Sequence, residues 1–143
     1  MSIAPPFFQV RIAKICLRPL YASRVQAGFP SPADDYVEKN LDLNEHLIHH
    51  PEATFFVRAT GDSMIGAGIY PNSILIVDKS LTPTSGNIVI AIVNGEFTVK
   101  RLIKSDSQCI LHSANPRYQP IIIKDENQLL IWGVVTAVIQ ELG

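Results

Sequence analysis

The sequence predicts a mainly β protein: a partly closed, β-rich body of short strands behind a mobile N-terminal arm. Three observations predict it. Beyond residue 53, short apolar runs recur between clusters of turn residues; Asn94-Gly95 joins two of those runs; and Gly28-Phe29-Pro30-Ser31-Pro32 breaks the first third with a composition that resists helix and central strand alike. Residues 1–53 are therefore read as the arm and residues 54–143 as the body.

Within the arm, Ser31 ahead of Pro32 has the form of a helix start running to Tyr36-Val37. Asp42-Leu43-Asn44-Glu45 has capping-box spacing; the helix it opens must end before Pro51, with Leu43, Leu47 and Ile48 as its apolar face. Strand patterns follow over Thr54–Ala59, Ser73–Asp78, Ile88–Val93, Glu96–Ile103, Gln108–His112, Pro120–Lys124 and Leu129–Gln140. Asn94 and Gly95 tolerate the positive φ that a type I′ turn needs at both central positions, so the runs on either side pair as a hairpin. Val89-Ile90-Ala91-Ile92-Val93 is apolar on both faces and belongs in the middle of a sheet.

Composition excludes several classes. A chain of 143 residues, 47% hydrophobic, can bury a sizeable core as one domain. Its net charge of −1 gives no general attraction to nucleic acid or to an anionic membrane. Arg11, Lys14, Arg18 and Arg24 are read as a solvated basic group on the arm rather than a phosphate site. Cys16 and Cys109, far apart, suit a reduced, cytoplasmic protein, and neither shares a motif with a histidine. No apolar run reaches the roughly 18 residues of a spanning helix. The first residues also lack the basic and continuous apolar regions of a signal peptide. His46, His49 and His50 stand at helical spacing without cysteine or carboxylate ligands around them, so they read as surface histidines, and neither metal nor other cofactor is expected. Trp132 reads as a core or dimer contact, since no basic residues interleave with it to make a base-stacking platform.

The chemistry concentrates in two places. Ser63 follows the strand pattern 54–59 inside Gly61-Asp62-Ser63-Met64, where a turn would project its hydroxyl. Lys100 lies within the strand pattern 96–103, an apolar address for an ammonium ion. A desolvated, neutral lysine can take the proton from a serine hydroxyl, so the two form a candidate nucleophile and general base. Lowering a lysine from its reference pKa of about 10.4 to about 7 costs the ammonium roughly 4–5 kcal/mol, which burial among apolar neighbours can supply. Thr98 and Leu102, on the same face, carry no negative charge to oppose this, and Glu96 is placed at the hairpin end, facing water. Backbone N–H groups of Asp62 and Ser63 are the candidates for an oxyanion hole, with the Asp62 carboxylate assigned to turn geometry.

Ala59-Thr60-Gly61-Asp62-Ser63-Met64, Gly68-Ile69, Leu75-Ile76-Val77-Asp78 and Gly95-Glu96-Phe97-Thr98-Val99-Lys100-Arg101-Leu102 together resemble the LexA/UmuD family of self-cleaving serine proteins. Asn115-Pro116-Arg117-Tyr118-Gln119-Pro120-Ile121 and Gly133-Val134-Val135 fit the same pattern, and Gly28 through Glu38 is similar to the UmuD branch. The resemblance spans about residues 26–140. It implies a Ser63–Lys100 dyad that cuts the chain's own Ala27–Gly28 bond. It also implies a homodimeric accessory subunit of an error-prone translesion polymerase in the SOS response. A RecA filament on single-stranded DNA would promote the cut, and a UmuC-type polymerase subunit would be the partner; no sequence-specific DNA binding is expected.

Two rivals remain at this stage. A LexA-like or phage-type transcriptional regulator would share the self-cleaving body, although the 27 residues ahead of Gly28 are too few for a helix-turn-helix domain. A protease acting on other chains in trans is the other.

Overall fold

Apolar alternation from Thr54 onward resolves into a long antiparallel sheet. The computed structural model describes residues 3–9 (backbone only), 15–21, 25, 27–28 and 37–143. The described strands are β1 (Ile3–Gln9), β2 (Leu17–Tyr21), β3 (Val37–Asp42), β4 (Thr54–Ala59), β5 (Ile74–Asp78), β6 (Ile88–Val93), β7 (Glu96–Lys104), β8 (Cys109–His112), β9 (Ile121–Ile123) and β10 (Leu129–Ile139), with one short helix, α1 (Leu43–Leu47). Eight of them form one sheet in the order β1-β4-β5-β10-β6-β7-β8-β9, every neighbouring pair antiparallel.

The chain divides into two compact units, Met1–Val10 with His50–Gly143, and Arg11–His49. In the smaller unit β2 pairs antiparallel with β3, and α1 follows. Asp42 caps α1, its carboxylate accepting the Asn44 N–H at 3.0 Å. The helix expected from Ser31 falls on residues 31–36, outside the described residues, and Val37 already opens β3. β1, β2 and β3 were not expected as strands.

In the larger unit every expected strand forms, with each end shifted by one residue at most. Asn94 (φ 49°) and Gly95 (φ 82°) both take positive φ, and Val93 pairs with Glu96 across them, the I′ geometry. β6 lies in the middle of the sheet and feeds both faces. Ile90 joins a core with Val57, Ala59, Leu75, Val77 and Val99, to which Met64 and Ile69 contribute from the β4–β5 connection. Val89 and Ala91 join a second core with Leu102, Leu111 and Val134. Both cores therefore rest on one strand pair, β6–β7. The pairing of β10 shifts register at Ile131/Gly133 against β6 and at Val135/Ala137 against β5, two bulges that bend the sheet.

Candidate active site

Ser63 lies in the β4–β5 connection and is buried to 1% exposure. Gly61 (φ 79°) takes the left-handed conformation there, turning the chain out of β4. Met64 and Ile69, both fully buried, pin the far side of the turn into the first core.

Lys100 sits opposite Val89 on β7, its side chain 6% exposed. Its Nζ lies 3.3 Å from Ser63 Oγ, 2.9 Å from Thr98 Oγ1 and 3.2 Å from the Val99 carbonyl oxygen. An ammonium can donate to all three. The neutral amine has two N–H groups for Thr98 and Val99 and one lone pair, which leaves Ser63 as the proton donor to nitrogen. Burial lowers the Lys100 pKa from its ordinary value. Glu96 is exposed at the start of β7, on the same face but four positions away, about 13 Å along the strand. From sequence Thr98 is only an uncharged neighbour; its role as an acceptor follows from the two-residue period that returns both side chains to one face.

A second segment grips the serine turn. Asn115, 6% exposed, donates from Nδ2 to the Asp62 carbonyl at 3.0 Å, and the Tyr118 hydroxyl donates to the Asp62 carboxylate. Gly66 N–H donates to the Ala114 carbonyl at 2.7 Å. A Cβ on Gly66 would stand 2.5 Å from that same oxygen, so the contact requires glycine.

Ala27 and Gly28 form an exposed bend in the smaller unit. Gly28 is unstrained, and a Cβ there would meet nothing within 4 Å. His46 and His49 are exposed in that unit, whereas His50 belongs to the larger one and binds Asp78, Nδ1 to Oδ2 at 2.6 Å. No group of three metal-ligating side chains occurs among the described residues. Trp132 packs against Phe55 and Phe97, ring centroids 5.4 and 6.3 Å away, with the Lys79 ammonium 4.7 Å above it. Cys16 and Cys109 are free thiols. Among the described residues no helix is long and apolar enough to cross a membrane.

A buried serine and lysine within hydrogen-bond reach suit acyl transfer, and comparison with known proteins gives the same direction. The model of the peptidase S24-like family matches residues 19–136. The chain belongs to that family. This S24-like chain is 49% identical to Protein ImpA of Salmonella typhimurium over 124 residues, 86% of this chain and 83% of ImpA. It is 50% identical to Protein SamA of Salmonella typhimurium strain LT2 over 123 residues, 86% of this chain and 85% of SamA. To Protein MucA of Escherichia coli it is 43% identical over 119 residues, 82% of this chain and 81% of MucA. These UmuD-like relatives make it a UmuD-type member of a family of self-cleaving serine peptidases. A LexA repressor of Anaeromyxobacter is 36% identical over 122 residues, and there the match spans 53% of the relative.

Proposed function

We propose that this S24-like protein is a homodimeric accessory subunit of an error-prone translesion polymerase, switched on during the SOS response when it cuts its own Ala27–Gly28 bond. The observation that carries the reading is the 3.3 Å approach of Lys100 Nζ to Ser63 Oγ, with both side chains buried. Neutral Lys100 takes the Ser63 hydroxyl proton as Oγ attacks the Ala27 carbonyl carbon. Backbone N–H groups at Asp62 and Ser63 hold the oxyanion. The proton then passes from Lys100 to the Gly28 nitrogen as the C–N bond breaks. That leaves an Ala27 ester on Ser63, which water hydrolyses with Lys100 again as base.

A RecA filament on single-stranded DNA promotes docking of the arm, and the chain from Gly28 onward serves a UmuC-type polymerase subunit. Incubation of the full chain with RecA, nucleotide and single-stranded DNA, followed by intact-mass measurement, should yield a fragment beginning at Gly28. Ser63→Ala and Lys100→Ala should each abolish it, since members of one nucleophile–base unit fail together. Gly28→Glu is tolerated by the observed bend but should block the cut, because the bond must come within about 3 Å of Ser63 Oγ. Cleavage by Ser63→Ala, or a fragment with another start, would end this reading.

The similarity to a LexA repressor supports a second reading, a self-cleaving transcriptional regulator. Sequence-specific DNA binding by the uncut chain would establish it in place of the first.

A further inference from the structure

We infer that Asn115 and Tyr118 are positioning residues for the Ser63–Lys100 pair: from one loop they grip Asp62 by its carbonyl and its carboxylate, fixing the serine turn and tying up the charge beside it. The inference rests on the reading of Ser63 and Lys100 as nucleophile and base.

The loop is built to grip. Asn115-Pro116-Arg117-Tyr118 is a β-turn closed by the Tyr118 N–H to the Asn115 carbonyl at 3.1 Å. Asn115 Oδ1 accepts the Arg117 N–H at 3.0 Å, so the Asn115 amide is oriented from within its own turn and aims Nδ2 at Asp62. Two further contacts fix the loop to the serine turn: the Gly66 N–H to the Ala114 carbonyl at 2.7 Å, and the Ala114 N–H to Met64 Sδ at 3.3 Å. These four links meet residues on both sides of Ser63, namely Asp62, Met64 and Gly66. A hydroxyl that must meet a carbonyl carbon at about 3 Å gains from such bracing, because misplacement by about 1 Å can cost on the order of a hundredfold in rate.

Tyr118 acts through charge as well as position. Asp62 neighbours Ser63 in sequence, and a carboxylate turned toward Lys100 would hold the proton on the base. The Tyr118 hydroxyl gives that carboxylate a hydrogen-bond partner of its own at an exposed position. Its bond to Asp62 raises the Tyr118 pKa, so the hydroxyl stays a donor further into the alkaline range than a free tyrosine would. Other described charges around Lys100 are differently placed. Glu96 is exposed at the far end of β7, Arg101 alternates to the opposite face and bonds the Gly86 carbonyl, and His112 pairs with Arg101 on β8; β6 carries no ionisable side chain.

The test is spontaneous cleavage of the full chain, followed by intact mass from pH 7 to 10, with folding checked by circular dichroism. The rate of the wild type should rise with pH. Tyr118→Phe removes one exposed hydroxyl and should move the midpoint of that rise upward by about half a pH unit or more. Adding Asp62→Asn should bring the midpoint back. Asn115→Ala should lower the rate roughly tenfold or more at every pH with the midpoint unmoved.

A Tyr118→Phe midpoint equal to the wild type, in a wild type whose cleavage is lost with Ser63→Ala, overturns the role of Tyr118 and leaves the dyad standing. An unchanged rate in folded Asn115→Ala overturns the role of Asn115. Wild-type cleavage that survives Ser63→Ala overturns the dyad and this inference together.

Discussion

Lys100 links reactivity to stability at the level of one residue. Its pKa is lowered in the folded chain because the ammonium is buried. Between the folded pKa and the unfolded value near 10.4, the unfolded chain binds more protons, so this group makes stability rise as pH rises through that window. Below the window the burial penalty is fully felt. Lys100→Met keeps the side chain's length and discards the charge, and it should raise the neutral-pH melting temperature while abolishing cleavage. Thermal melts from pH 7 to 10 should show the wild type closing the gap at the alkaline end; a gap independent of pH would mean that the charge is not what the fold pays for. Residue type and address made Ser63 and Lys100 a candidate pair, and the family resemblance of the segments around them singled it out. The grip of Asn115 and Tyr118 on Asp62 was not legible in this way: Asn115-Pro116 announces a turn, but no local pattern announces its partner more than fifty positions away.

At the level of elements, the β6–β7 hairpin carries the base of the site. It holds Lys100 and Thr98 on one face and contributes to both cores. Gly95 sits at φ 82°, so Gly95→Val forces a β-branched residue into the left-handed region and should cost about 1–2 kcal/mol. The cost should appear as a lower urea midpoint with an unchanged slope, and a neutral result would remove the turn from the list of fold determinants. The hairpin was legible because Asn-Gly is a local signal and the flanking runs are long and apolar. β1 and β2 were not, because Pro5, Pro6 and Pro19 argue against strand, and β3 was hidden by the polar run Glu38-Lys39-Asn40. These strands form through backbone pairing with a partner far along the chain, which neither alternation nor propensity announces.

For the whole molecule, the long segment of the larger unit, from His50 onward, starts at a polar knot. Asp78, 4% exposed at the end of β5, accepts from the Ser80 N–H at 2.8 Å and the Ser80 hydroxyl at 2.6 Å, and meets His50 Nδ1 at 2.6 Å. Burial works against its carboxylate, but the bonds from Ser80 and His50 outweigh it and hold the pKa below the ordinary value. A depressed carboxylate contributes stability that is complete above its unfolded pKa, near 3.9, and is lost as pH falls through the lower folded value. Asp78→Ala should therefore cost roughly 2–3 kcal/mol at pH 7, with the difference from wild type shrinking below about pH 4. Denaturation at pH 7 and pH 3 would check this; an equal difference at both would assign the effect to packing instead. The body as an all-β unit was legible in the sequence. Its division, with β1 counted in the larger unit, depends on a register no single segment reveals.

That placement of β1 gives the proposed cut an unusual product. β1 is paired along β4 from Ile3 opposite Ala59 to Gln9 opposite Phe55. While the chain is whole, the strand is tethered and its local concentration is fixed by the linker, on the order of millimolar. Once the Ala27–Gly28 bond is broken, the same pairing becomes a bimolecular equilibrium between a peptide and a sheet edge. Scission is then a chemical event and departure a separate one, governed by mass action. Concentrated cleaved protein should co-migrate with its own peptide and shed it on dilution. What dilution uncovers is β4 as a bare edge, with a row of backbone donors and acceptors open to the next strand that arrives.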